Sequence, residues 1–355
     1  MGFFRLLLAC AVALAHGGID RQFEFPYLSL VSNVHAVRMF FVVSGFYMAL
    51  VLDTTYSNLP MSHFYTNRLL RLLPTYWIAA LWFLAISFFG FSNSLPQNVA
   101  WWAPSAHYFD GHPVAFVYLV VTNICLIGQD LAAFISLNHG AMGHDFLIVP
   151  QAWSLGMELW FYMAAPFIVM LRSRSLLILI LIGVALRLEI ELSHLPSWPW
   201  NQRFLLTEYV YFLMGILSYR AMKADESTWT TSRAIGIVVL LFSPFIVFYV
   251  GWYDYGRELD AANSVFIGMI AALVVPVLFN STKYSKIDRL LGEFSYPIYL
   301  THLGIIMLYP QIKERPLLLL FAAFIASAII VIFVERPIDR WRHLRTKRIA
   351  GAGVA

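Results

Sequence analysis

Charge is scarce in this chain. Asp, Glu, Lys and Arg make up 12% of its 355 residues, against roughly 25% in ordinary soluble domains, and so sparse a polar surface excludes a soluble globular protein. Cysteine is as rare: Cys10 and Cys125 stand alone in apolar runs, without paired or metal-like spacing, so neither a disulfide framework nor a zinc site is implied. No low-complexity tract, internal repeat or soluble insertion interrupts the chain. Residues 1–335 therefore read as one domain, and residues 336–355 as a basic cytoplasmic tail. The net charge of +4 reflects that tail and cations at segment ends, and no nucleic-acid partner is expected.

What is plentiful is apolar side chain. Hydrophobic residues make up 60% and aromatics 16%, with a mean hydropathy of +0.71. A run of about 20 mostly apolar residues spans the hydrocarbon core of a bilayer. Such runs fall near 3–18, 36–52, 74–91, 114–134, 152–171, 175–190, 204–221, 234–251, 261–280, 295–311 and 316–334. The expected fold is an all-α polytopic membrane protein. The first run has the charge and shortness of a signal peptide, but no small-residue cleavage site follows it, so it is read as a retained first helix.

Orientation follows from Lys and Arg. With both termini cytoplasmic, 17 of the 24 cations fall on one side, provided that one candidate between Arg71 and Arg172 does not cross. Segment 114–134 is that candidate. It holds Asn123, Gly128, Gln129 and Asp130, and its flanks, 92–113 and 135–151, contain no Lys or Arg. The expected architecture is thus about ten transmembrane helices plus one re-entrant or interfacial segment on the outer face, where irregular backbone is tolerated only against protein or water.

Polar residues inside such runs are functional hypotheses by default. Arg5 and His16 are the strongly polar residues of the first run. Eleven residues of helix put them on one face, about 16 Å apart. Arg68 and Arg71 share a face at the cytoplasmic mouth of the third helix, where two planar guanidiniums would suit a phosphate; the positive-inside rule with lipid-headgroup contact accounts for them equally. Gln151, Ser154, Glu158 and Tyr162 form one polar stripe. A lone buried carboxylate such as Glu158 must find a cation or a proton, which makes it either a structural partner of an arginine or a catalytic group. Ser295, Tyr299 and His302 share another face, with His302 a packing residue or a catalyst. The small Ser44-Gly45 pair permits close approach of a helix or of a ligand.

Together these stretches resemble acyltransferase family 3, an integral membrane family. Arg5 and His16 are similar to its Arg, ten residues, His pattern, and residues 40–46 to its FFVxSGF segment. Arg68-Leu69-Leu70-Arg71 resembles RxxR, and Trp153-Ser154-Leu155 with Glu158, Phe161 and Tyr162 resembles WSLxxExxFY. Residues 295–302 are similar to YSxYLxH, departing by an internal Pro297, and Val334-Glu335-Arg336-Pro337 to VErP. Six weak motifs in family order make a specific signal, and the resemblance is to the standalone form.

The resemblance implies transfer of an acyl group, acetyl in the usual case, from cytoplasmic acyl-CoA to a hydroxyl of a cell-surface or lipid-linked glycan at a bacterial inner membrane. Acyl-CoA is then the donor substrate, a glycan or lipid-linked saccharide the acceptor, membrane lipid the surroundings, and no metal is called for. Arg5, Arg68 and Arg71 would hold CoA phosphates, and His16 would be the general base, with Glu158 and His302 as further catalytic candidates. Asp20 would orient His16 only if Gly17-Gly18 leaves the helix intact. A secondary transporter of a sugar or anion would also use buried His, Glu and Arg, but no paired Gly/Pro-interrupted helices are evident. An acyltransferase of another family acting on lipid or protein is the third reading.

Overall fold

The computed structural model describes residues 1–17, 33–89, 107–224 and 260–352. Apart from one isolated bridge between Ser136 and Met142, every regular element among them is helical. The main helices are α1 (Gly2–His16), α2 (Asn33–Asp53), α3 (Met61–Phe88), α4 (Pro113–Cys125), α5 (Trp153–Ile168), α6 (Ser173–Leu192), α7 (Leu205–Ala224), α8 (Asp260–Thr282), α9 (Lys286–Glu293), α10 (Ser295–Leu308), α11 (Pro316–Ile330) and α12 (Arg336–Ala352).

Four stretches among the described residues are long and apolar enough to cross a bilayer: Asn33–Asp53, Met61–Phe88, Ala261–Thr282 and Pro316–Ile349. The other helices are shorter or carry charges, as α6 does at Arg174, Arg187, Glu189 and Glu191. Large apolar side chains such as Leu181, Ile182, Phe321 and Phe333 are exposed, a surface suited to lipid tails rather than water. The run near 234–251 and Asp20 lie outside the described residues.

Element limits follow the apolar runs closely, with two differences. The third helix begins at Met61 rather than near residue 74, so Pro74 stands inside it. The arginine-containing stretch before the proline is polar in composition but packs as helix, with Asn67 and Arg68 buried. The segment near 114–134 is helical only over Pro113–Cys125. Thirteen residues rise about 20 Å, short of a hydrocarbon core of about 30 Å. The chain then reverses through Leu126 at φ 69° and continues to residue 152 in single helical turns.

The centre of the molecule is the packing of α2 on α7. Gly45 and Gly215 let the two backbones touch. A Cβ at Gly45 would come within 2.0 Å of the Phe212 carbonyl oxygen, and one at Gly215 within 2.1 Å of that of Val42. Where lipid leaves no hydrophobic drive between helices, such close van der Waals contact holds them together. Phe212 stacks on Phe41 at 4.5 Å and on Phe161 at 4.2 Å, which joins α5 to this pair.

Beside it lies a buried ion cluster. Glu208 of α7 accepts from Arg38 Nε of α2 at 3.2 Å and from Arg187 Nη1 of α6 at 3.1 Å. All three residues are at most 1% exposed. Arg38 also donates to Ser264 of α8 and, at 2.7 Å, to the Asn201 carbonyl. Tyr211 lies 5.6 and 5.3 Å from the two guanidiniums. The carboxylate thereby ties α2, α6 and α7, and Arg38 adds α8.

Helix α1 packs between α2, α9 and α10. Its first turn is held by Asp288 of α9, which accepts from the Gly2 and Phe3 amides at 2.7 and 2.9 Å and from the Met1 amine at 2.7 Å. Burial would push this carboxyl up, but those hydrogen bonds outweigh it and hold it at about 2. At the other end of the chain, α11 passes into α12 through a π-helical turn, Val331–Glu335. Pro337 has no N–H for the turn before it, and the helix widens there. This turns Glu335 toward α3, where it accepts from Thr75 at 3.3 Å.

Candidate active site

Helices α1, α2, α3, α5 and α10 line a cavity. Arg5, Ser44, Tyr47, Arg71, Glu158 and Tyr162 give it polar walls, on sides set by helical spacing: Glu158 and Tyr162 are one turn apart on α5. Glu158 Oε1 accepts from Ser44 Oγ at 2.7 Å and from the Tyr162 hydroxyl. Arg5 feels the positive charge of Arg71 and the negative charge of Glu158, and Arg71 is drawn to Glu158, Asp339 and Glu335. Among the described residues, neither guanidinium forms a salt bridge to Glu158 within 4.0 Å. Two like charges thus face a cavity whose carboxylate is engaged by hydroxyl groups, an arrangement that favours an anion.

Tyr296 and Tyr299 of α10 line the same cavity. The Tyr296 hydroxyl donates to the Leu72 carbonyl at 2.8 Å. The Tyr299 hydroxyl meets Ser154 Oγ at 2.7 Å and the Gln151 carbonyl at 2.8 Å. Gln151 Nε2 donates to the Leu300 carbonyl at 2.8 Å, so α5 and α10 are laced together along the polar stripe. Pro297 falls in the first turn of α10, where a missing N–H removes no helical hydrogen bond.

Beyond Tyr299 lie two histidines. The Tyr299 and His302 rings are 6.1 Å apart, and the His302 and His16 rings 5.1 Å. His302 is fully buried, with Nδ1 3.1 Å from the Ile298 carbonyl and Nε2 3.3 Å from His16 Nδ1. His16 Nδ1 is also 2.9 Å from the Val12 carbonyl. A carbonyl only accepts, so each Nδ1 carries the hydrogen. His302 Nε2 then accepts from His16 Nδ1–H, which puts the lone pair of neutral His16 on Nε2. A proton arriving there is stabilised from behind by two acceptors.

Polar groups continue past this point on loops. Asp130, fully buried, lies beside the Trp160 indole N–H outside hydrogen-bond geometry, and both its carboxylate oxygens are without a partner. Burial pushes its carboxyl up to about 6. Arg203 lies 4.2 Å over the Trp153 ring with Nη1 buried and unpartnered. Its desolvation lowers it to about 9, against the opposing pull of Tyr299 and Asp130.

The structure therefore brings Arg5, Arg71 and Glu158 to one cavity and joins His16 to His302 next to it. Arg68 does not line the cavity. It is 5% exposed and lies 5.6–5.9 Å from the rings of Tyr56, Phe64 and Tyr162, so the two arginines one turn apart have different surroundings. Ser44-Gly45 serves both readings, with Gly45 at the helix contact and Ser44 in the cavity. Tyr47, Arg203 and Asp130 were not singled out as site residues. Tyr47 sits in an apolar run of ordinary appearance, whereas Asp130 stood out in sequence as a carboxylate in a stretch without cations.

The sequence model of acyltransferase family 3, described as an acyltransferase domain, matches residues 3–336. A protein of Acidianus two-tailed virus whose name reads as a proposed acetyltransferase, ORF330, is 24% identical over 274 residues, which cover 75% of this chain and 71% of the relative. No solved structure matches the chain.

Proposed function

The chain belongs to acyltransferase family 3 and is an acyltransferase; from that premise we propose that it carries an acyl group, acetyl by preference, from cytoplasmic acyl-CoA to a hydroxyl of a cell-surface or lipid-linked glycan. The observation that carries this reading is α1 itself. One unbroken helix holds Arg5 in the cavity and, about 16 Å along its axis, His16 against His302. That is about the span of a pantetheine arm from diphosphate to thioester. In this reading both termini are cytoplasmic, about ten helices span a bacterial inner membrane, and residues 113–152 lie re-entrant at the outer face.

Arg5 and Arg71 bind the CoA diphosphate, and the thioester lies toward Tyr299. His16 Nε2 takes the proton from the acceptor hydroxyl as its oxygen attacks the thioester carbonyl. The C–S bond breaks, and the departing thiolate receives that proton, leaving an ester and CoA-SH. His302 Nε2 holds His16 Nδ1–H throughout and so positions the base. Glu158 offsets the arginines without neutralising them.

The test is His16→Ala in protein purified in detergent. Turnover should fall about 100-fold or more, the usual size of an acid–base contribution, while acyl-CoA binding stays within about twofold. Near-normal glycan acylation by the folded variant would remove His16 as the base.

A further inference from the structure

Helix α12 lies along the first half of α3. Thr346 Oγ1 is 2.9 Å from His63 Nε2 and 3.3 Å from Asn67 Nδ2, and Glu335 accepts from Thr75 at 3.3 Å. Later residues of one helix meet earlier residues of the other, so the pair is antiparallel. Arg342, one turn before Thr346, accordingly falls opposite the turn that carries Arg68 and Arg71. It feels the positive charge of both. Its side chain is 14% exposed. Its Nη1 donates to Asp339, but its Nε is buried without a hydrogen bond, as is the Nε of Arg68.

Three guanidiniums brought together against their repulsion, two of them with orphaned buried donors, describe an anion site. The arginines are also ordered in space. Arg5 and Arg71 line the cavity, whereas Arg68 and Arg342 do not. Acyl-CoA has a matching order, with a diphosphate next to the pantetheine arm and a separate phosphate on the ribose 3′-oxygen beyond it.

We propose that Arg342 and Arg68 form a second phosphate subsite outside the cavity, which binds the 3′-phosphate of acyl-CoA while Arg5 and Arg71 take the diphosphate. The inference rests on the acyl-CoA reading above. It makes the C-terminal helix part of donor recognition, with Asp339 as the anion that the 3′-phosphate displaces from Arg342.

The test compares CoA with 3′-dephospho-CoA by calorimetric titration of the purified full chain in detergent. The wild type should bind CoA at least about tenfold more tightly, as expected of one charge-assisted phosphate contact. Arg342→Ala should erase that preference by losing affinity for CoA alone, whereas Arg71→Ala should weaken both ligands about equally. Asp339→Ala, which releases Arg342, should widen the preference and serves if Arg342→Ala does not fold. A wild type without preference overturns the inference. So does an unchanged preference in either Arg342→Ala or Asp339→Ala, or an equal loss of both ligands in Arg342→Ala. If the wild type binds neither ligand, the acyl-CoA reading fails as well, an outcome distinct from binding without preference.

Discussion

Two places in this bundle set a carboxylate among arginines, and they are built in opposite ways. At Glu208 the two guanidiniums of Arg38 and Arg187 lie 3.2 and 3.1 Å from one oxygen, and all three residues are buried. At Glu158 the oxygen is taken by Ser44 and Tyr162, while Arg5 and Arg71 face a cavity. Identical residue types thus give a closed joint in one case and an open site in the other. A buried charge must be satisfied. Protein supplies the counter-charge at the joint, and the cavity leaves the arginines for a ligand.

The sharpest way to break this comparison is to remove each acid. Glu208→Ala leaves two buried arginines without their shared partner and should destabilise the protein by about 3–5 kcal/mol, read as a collapse of thermal stability in detergent. Glu158→Gln keeps an acceptor for both hydroxyls and should cost less than about 1 kcal/mol, yet lower turnover about tenfold or more. Equal losses of stability in the two variants would show that both acids are joints.

Asp130 supplies a third case, a buried acid whose oxygens lie outside hydrogen-bond geometry of any donor. Its carboxyl is raised from 3.8 to about 6 by burial, so the folded protein holds this proton more tightly than the unfolded chain. The stabilisation is complete below about pH 4 and is lost as pH rises through 6. Asp130→Asn cannot ionise and should raise stability at pH 7.5 by at most about 3 kcal/mol, with the gain vanishing near pH 4. Thermal unfolding at the two pH values checks this, and a loss of stability at pH 7.5 would mean that the ionised form is paired.

The cavity arginines give the last test. Arg71→Ala should weaken acyl-CoA binding about 10- to 100-fold, the size of one charge-assisted phosphate contact. Arg71→Lys should recover part of that, because lysine keeps the charge but loses the planar fork. Unchanged affinity in Arg71→Ala would make the open site resemble the closed one after all.

Much of this was legible beforehand, for a local reason. Helices in lipid satisfy their own backbone, so apolar runs give their limits to within a few residues. A shared face follows from 3.6-residue spacing, which is how Ser154, Glu158 and Tyr162 were grouped. The start of α3 at Met61 was not legible, since the apolar run begins only near Pro74 and the shared face of Arg68 and Arg71 gave helix before it without a limit. Nor was the Glu208 cluster, because Arg38, Arg187 and Glu208 are far apart in the chain and none lies in a motif. Arg342 was hidden differently: in a tail of six cations, composition alone cannot tell a ligand from a topology signal.

Residue types and their spacing sufficed for the family, for the all-helical membrane architecture and for the residues worth testing, because each depends on interactions within one helix or between that helix and its solvent. Which charges meet was decided only by tertiary structure. His16 Nδ1–H gains a second acceptor in His302, 286 residues away, and Arg342 a position beside Arg71 through the antiparallel fit of α12 on α3. Such pairings depend on how helices are turned toward one another, and no single helix carries that information.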